Sequence, residues 1–122
     1  MAHVTRVLVV EDDHAMRYAI TRTFEKHGFD VDVAEGESDA IELGKVRQYC
    51  AVMVDLLLPA IDNGRRVIAE IGRAYPTVPL YVLTGADVKL SELSGHVRAV
   101  YRKPVDVDAL AEIVQQSCLD HA

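Results

Sequence analysis

The stretch that decides the fold is Ala-Val-Met-Val-Asp-Leu-Leu-Leu-Pro, residues 51–59. It is an almost continuous apolar run, and such a run is typical of a central strand in a parallel sheet covered by helices on both faces. Asp55 interrupts it. A carboxylate at the end of a buried strand must be paired, hydrogen-bonded or bound to a metal, because burying it alone is costly. The segment alone leaves two interpretations: a functional acid, or an Asp that caps the next loop.

The rest of the chain alternates strand patterns with helix patterns. Apolar or alternating segments predict further strands at 7–10, 29–33, 78–83 and 97–101. Helical spacing predicts helices from His14, over 38–49, around 67–75 and from Asp106, with Asp13 and Asp106 as caps and Gly28 as a stop. Between Asp87 and His96 the helical signal is poor. This alternation predicts a three-layer α/β sandwich around one parallel sheet with right-handed crossovers.

Composition narrows the function classes. With 122 residues, half of them hydrophobic and a quarter charged, the chain predicts one globular domain, 1–122. A net charge of -6 argues against nucleic-acid binding by this domain. No apolar stretch is long enough to span a membrane, and no secretory signal is visible. Cys50 and Cys118 are too few and too distant in sequence to suggest a disulfide framework. We therefore expect free thiols and a reducing cytoplasm.

The residues that follow the predicted strands suggest one site. In a parallel α/β sheet the carboxyl ends of the strands share an edge where ligands bind. The acids, hydroxyl and amine found there are Glu11, Asp12, Asp13, Asp55, Thr84 and Lys103. Clustered carboxylates repel one another unless a cation neutralises them, and oxygen ligands suit Mg²⁺. With Asp55 as nucleophile and the hydroxyl and ammonium groups holding phosphoryl oxygens, the set describes phosphoryl transfer onto a carboxylate.

These segments resemble the receiver domains of two-component response regulators. The matching pieces are Val-Leu-Val-Val-Glu-Asp-Asp at 7–13, Asp-Leu-Leu-Leu-Pro at 55–59, Leu-Thr-Gly at 83–85 and Lys-Pro at 103–104. The resemblance covers nearly the whole chain in the family's order. It implies a flavodoxin-like, CheY-like doubly wound sheet of five parallel strands in the order 2-1-3-4-5.

The resemblance also implies roles for individual residues. Asp55 would accept phosphate from a histidine kinase or a histidine phosphotransfer protein, so the domain assists its own aspartyl phosphorylation and dephosphorylation without being a conventional enzyme. Mg²⁺ would be held by Asp12 directly, by Glu11 through water, by Asp55, and by the backbone carbonyl of Leu57. Thr84 matches the switch hydroxyl and Lys103 the salt-bridging lysine. Pro104 is expected to follow a cis peptide bond.

The sequence departs from the family at several points. The loop after Pro59 is one residue longer than usual, and we place the insertion in the loop, before Gly64. The segment from Thr84 to Lys103 is short, which predicts a short or irregular fourth helix and an altered output surface.

Other departures concern single side chains. The aromatic switch position of the family is Val100 here, with Tyr101 one place late, so the threonine–aromatic pair is expected to be absent or altered unless a bulge shifts the register. Leu57 and Ala86 occupy positions that tune phosphoryl lifetime, and neither can orient water, which predicts slow self-dephosphorylation. His14 is expected to be an exposed first-turn residue.

Three functions compete at this point. The leading one is a phosphorylation-controlled signalling switch that meets a downstream effector protein, with homodimer formation possible. The second is a receiver-like adaptor that works without phosphate, for which the altered output surface is the argument. The third, an aspartate-nucleophile phosphatase of the haloacid-dehalogenase type, needs a second acid where Leu57 stands and is strongly disfavoured.

Overall fold

The computed structural model describes residues 5–56, 61–85, 87–93 and 97–120. Its described part contains five strands, four α-helices and one turn of 3-10 helix. In chain order these are β1 (Arg6–Val10), α1 (His14–Lys26), β2 (Asp30–Ala34), α2 (Glu37–Gly44), β3 (Ala51–Leu56), α3 (Ile61–Ala74), β4 (Leu80–Thr84), the 3-10 turn (Leu90–Glu92), β5 (Val97–Arg102) and α4 (Val107–Asp120).

All strand pairs are parallel, and the sheet order is β2-β1-β3-β4-β5. The predicted fold is therefore confirmed, with β3 in the centre and β2 at an edge. Because successive strand residues face opposite sides of the sheet, the strands contribute side chains to two separate hydrophobic cores. Leu8 and Val52 face the core that includes residues of α2 and α3, whereas Val7 and Met53 face the core that includes residues of α1 and α4.

Helix boundaries follow the predicted caps at three points. The Met16 N–H donates to the Asp13 carboxylate at 3.1 Å, so Asp13 caps α1. The Ala109 N–H donates to Asp106 at 3.1 Å at the start of α4. Gly28 has φ +90, a left-handed conformation that glycine adopts without a steric penalty, and it turns the chain from α1 into β2.

Helix α2 is shorter than predicted, because it ends at Gly44 and not near Tyr49. Tyr49 is instead buried, with its hydroxyl donating to Asp32 at 2.7 Å. The next residue, Cys50, donates its N–H to the Arg6 carbonyl at 2.9 Å. These contacts draw residues 45–50 back to the sheet, and a helix continued to Tyr49 could not make them.

Helix α3 begins earlier than predicted. Residues 61–64, expected to form a loop, are the first turn of α3. The turn-forming residues there did not decide the local structure, since an apolar helix face that packs on the sheet can outweigh weak local preferences. The expected irregularity is observed: between β4 and β5 the described residues, 85 and 87–93, contain only the 3-10 turn where the family has its fourth helix.

The prediction of two free thiols is also wrong. Cys50 and Cys118 form a disulfide, with their Cα atoms 5.5 Å apart. Both residues pack against the core between the sheet and helices α1 and α4. A sequence separation of 68 residues says nothing about distance once β3 and α4 lie side by side.

Gly44 makes a close approach that gives a stability prediction. A Cβ atom added there would lie 2.7 Å from the Tyr75 ring. That ring is buried, and its hydroxyl is hydrogen-bonded to the Ala40 carbonyl, so it has little room to move.

Gly44→Ala is therefore expected to destabilise the protein by about 1–3 kcal/mol, although alanine is the better helix former. Chemical denaturation measures this, with Ser38→Ala on the exposed side of α2 as the matched control. A Gly44→Ala variant as stable as the control variant would contradict the prediction.

No helix in the described part of the chain has both the length and the apolar character needed to cross a membrane.

Candidate functional site

The turn after β1 carries three acids into different environments. Glu11 is buried at 2% exposure, and its N–H donates to the Ala34 carbonyl at 2.9 Å, which continues the pairing of β1 with β2. Asp12 and Asp13 are exposed. Asp13 is used as the α1 cap, so two acids of the run, Glu11 and Asp12, remain available to a ligand.

Asp55 lies beside this turn. Val10 on β1 pairs with Val54 on β3, so the next residues, Glu11 and Asp55, lie beside each other. The Asp55 side chain is 1% exposed and forms an ion pair with Lys103, whose side chain is 20% exposed. The Lys103 N–H donates to the Thr84 carbonyl at 2.8 Å. The sheet thus brings Glu11, Asp55, Thr84 and Lys103 to one edge, as their strand-end positions predicted.

The buried Glu11 carboxyl is perturbed by its surroundings, including Asp55. The pKa of Glu11 is raised from 4.5 to about 8: burial is the largest cause, the neighbouring Asp55 carboxyl adds to the rise, and the positive charge of Lys103 opposes it. Among the described residues, the oxygens of Glu11 accept no hydrogen bond of ordinary geometry, and the Lys103 ammonium group is the cation beside Asp55. Buried acceptors without donors are rare, and two adjacent carboxylates are stabilised by a cation.

This donor set fits Mg²⁺, which prefers oxygen ligands and retains several waters. Within the described ranges, no three His, Cys, Asp or Glu side chains are already arranged around one point as a metal site. Of the predicted ligands, Glu11 and Asp55 face each other, Asp12 is exposed, and Leu57 lies outside the described residues. Ala86, predicted to affect phosphoryl lifetime, is outside them as well.

The threonine and the aromatic residue lie on opposite faces of the sheet. β5 has a register shift, since Leu80 pairs with Val97 but Tyr81 pairs with Ala99, which leaves Arg98 as a bulge. Beyond the bulge, Val100 packs against the α2 and α3 core and Tyr101 against the α1 and α4 core.

Strand alternation puts Thr84 on the same side as Leu80 and Val82, which is the side of Val100. Burial raises the pKa of Tyr101, with a smaller contribution from the neighbouring Tyr81. The bulge therefore does not aim Tyr101 at Thr84, which agrees with the expected change in the threonine–aromatic pair.

The peptide bond between Lys103 and Pro104 is cis, as the resemblance implied.

Sequence reasoning missed Arg17. Its guanidinium donates to the Glu11 carbonyl at 3.1 Å and to the Nδ1 atom of His14 at 2.7 Å. His14 is exposed, as predicted. The only signal in the sequence was a long cationic side chain one turn into a helix that begins at an acidic turn.

The sheet order, with the acids, threonine and lysine at one edge, defines a CheY-like receiver fold. Comparison with known proteins gives the family: the chain belongs to the response regulator receiver domain family, whose model matches residues 7–115.

Individual relatives agree with this. The protein PilH of Pseudomonas aeruginosa is 27% identical over 116 residues, which are 91% of this chain and 95% of PilH. Response regulator MprA of a Mycobacterium species is 30% identical over 90 residues, 74% of this chain but 39% of MprA. The crystal structure of response regulator TrrA from Thermotoga maritima, in complex with Mg²⁺ and BeF, has a TM-score of 0.77, 26% identity and coverage of 93% and 98% of the two chains.

Proposed function

We propose that this receiver accepts a phosphoryl group on Asp55 in a Mg²⁺-dependent reaction and acts as a phosphorylation-controlled switch. One observation carries the proposal: a buried carboxylate, Asp55, is paired with Lys103 on one side and faces a second buried carboxyl, Glu11, on the other. A purely structural aspartate would not need a like-charged neighbour, because that neighbour destabilises it. A site that binds a cation and a phosphoryl group does need both charges.

The chemistry is a displacement at phosphorus. An oxygen of Asp55 forms a bond to the phosphorus atom of a phosphohistidine, the P–N bond breaks, and the imidazole takes up a proton as it leaves. Mg²⁺, held by Glu11, Asp12 and Asp55 and by the carbonyl of Leu57, would neutralise charge on the phosphoryl oxygens. Lys103 would hold a phosphoryl oxygen as a point charge. Thr84, buried at the end of β4, would contribute its hydroxyl to the new group.

The partners follow from the same proposal. The donor is a histidine kinase or a histidine phosphotransfer protein, and the output is contact with a downstream effector protein. We further propose that residues 1–122 are one receiver domain, that it does not bind nucleic acid by itself, that it can form a homodimer, and that it acts in the cytoplasm. The disulfide argues against the last point, because disulfides rarely persist in a reducing compartment.

Intact-mass measurement with acetyl phosphate and Mg²⁺ tests the function. The wild type is expected to gain one phosphoryl group, Asp55→Asn is expected to gain none, and EDTA added before the donor is expected to abolish the gain. Asp106→Asn, which alters a helix cap away from the carboxylate pair, is the control and should still be labelled.

If the Asp55→Asn variant still gains a phosphoryl group, another residue is the acceptor. A folded wild type that takes up no phosphate from this donor would instead favour the adaptor without phosphate. The 3-10 turn in place of the family's fourth helix is the observation that supports that second candidate.

A further inference from the structure

Arg17, on the first turn of α1, contacts the acidic turn formed by residues Glu11 to Asp13. Its backbone N–H donates to the Asp13 carbonyl at 2.9 Å as part of the start of α1. Its side chain, 13% exposed, extends back along the helix, and its Nη1 atom donates to the Glu11 carbonyl at 3.1 Å. One residue thus binds the backbone of the turn on both sides of Asp12.

The guanidinium is itself held in place. Its Nη2 atom contacts Nδ1 of His14 at 2.7 Å, and its Nη1 atom lies 3.8 Å from the exposed carboxylate of Glu35. A guanidinium donates from several nitrogens in a fixed plane, whereas an ammonium is a single point with no such plane. Lysine therefore could not reproduce the pair of contacts to Glu11 and His14.

A cation at this position has a cost for the proposed site. Arg17 adds positive charge beside a turn whose acids would bind another cation, so by charge alone it disfavours Mg²⁺. The charge of Arg17 by itself would therefore only weaken Mg²⁺ binding. Its hydrogen bond to the Glu11 carbonyl offers a compensating effect, because groups that orient metal ligands contribute to affinity without contacting the metal.

We propose that Arg17 is a positioning residue: it fixes the Glu11–Asp13 turn so that the acids meet Mg²⁺ in the geometry that the reaction needs. This inference rests on the proposed function. The two effects of Arg17 have opposite signs, so loss of its charge alone would tighten Mg²⁺ binding and loss of its positioning would weaken it.

The test follows the melting temperature of the full chain as Mg²⁺ is added after removal of metal by EDTA. The Mg²⁺-dependent rise gives the dissociation constant, and the metal-free value reports the structural role separately. Arg17→Met is expected to raise the dissociation constant about tenfold. Arg17→Lys, which keeps the charge, is expected to weaken binding too. Arg22→Met, at an exposed position on the same helix, should leave it unchanged.

The outcomes separate the inference from the function on which it rests. Arg17→Met with an unchanged or lower dissociation constant would overturn the positioning role while leaving the Mg²⁺ site intact. A lower metal-free melting temperature with unchanged Mg²⁺ affinity would also overturn it, because that is what a merely structural residue gives. If the melting temperature of the wild type does not change when Mg²⁺ is added, the proposed metal site itself is refuted. If Arg17→Met does not fold, Arg17→Lys decides the question.

Discussion

Reduction of the Cys50–Cys118 disulfide is expected to lower the melting temperature of the protein by on the order of 10–15 °C. The disulfide closes a loop with a sequence separation of 68 residues. In the chain-entropy description, a loop of that size restricts the unfolded chain enough to stabilise the folded protein by about 4 kcal/mol. It joins the residue that precedes β3 to the last turns of α4, so reduction also frees the end of that helix.

Thermal unfolding followed by circular dichroism, with and without dithiothreitol, measures this effect. The Cys50→Ala/Cys118→Ala double variant is the matched control, since its melting temperature should be low and should not respond to the reductant. Equal melting temperatures for the oxidised and reduced wild type would contradict the prediction. Alkylation of two free thiols in protein never exposed to reductant would contradict the pairing itself.

The second large effect is a loss of stability of the metal-free protein as the pH rises. The pKa of Glu11 is raised to about 8 in the folded protein, from 4.5, chiefly by burial. Between these two values the folded state binds more protons than the unfolded state does, so folding becomes less favourable with increasing pH. The loss begins above pH 4.5 and levels off above about pH 8. Its size is of the order of 5 kcal/mol.

Denaturant unfolding in EDTA across this pH range checks the prediction. Glu11→Gln should be more stable than the wild type at pH 8 and should lack this part of the pH dependence. Glu35→Gln, which removes a carboxylate that is 70% exposed, is the control and should follow the wild-type profile. If Glu11→Gln loses stability with pH as steeply as the wild type does, the buried Glu11 carboxyl is not the source of the effect.

Strand positions were well predicted because buried strands leave a strong local signal. The run that ends at Asp55 could be recognised without any partner, since few other structures bury an apolar segment of that kind on both faces. Helix caps such as Asp13 are similarly local, because the hydrogen bond joins residues three apart. The topology alone then predicted that the acids, the threonine and the lysine at the strand ends lie at one edge of the sheet.

Other features needed the folded chain. Residues 61–64 were predicted to form a loop because several of them are turn formers, but they are the first turn of α3. The packing of a helix on the sheet can outweigh such weak local preferences. The side on which Tyr101 lies depends on the bulge at Arg98, which no periodicity in β5 reveals.

The sequence by itself determined the order of strands and helices, the acidic turn, the caps, and the residues that meet at the carboxyl edge. Each of these depends on neighbours in sequence or on the rule that parallel strands end at one edge. The tertiary structure alone decided the Cys50–Cys118 pairing, the raised pKa of Glu11 and the contact of Arg17 with the Glu11 carbonyl. The physical reason is that pairing, burial and side-chain reach are set by distances in space.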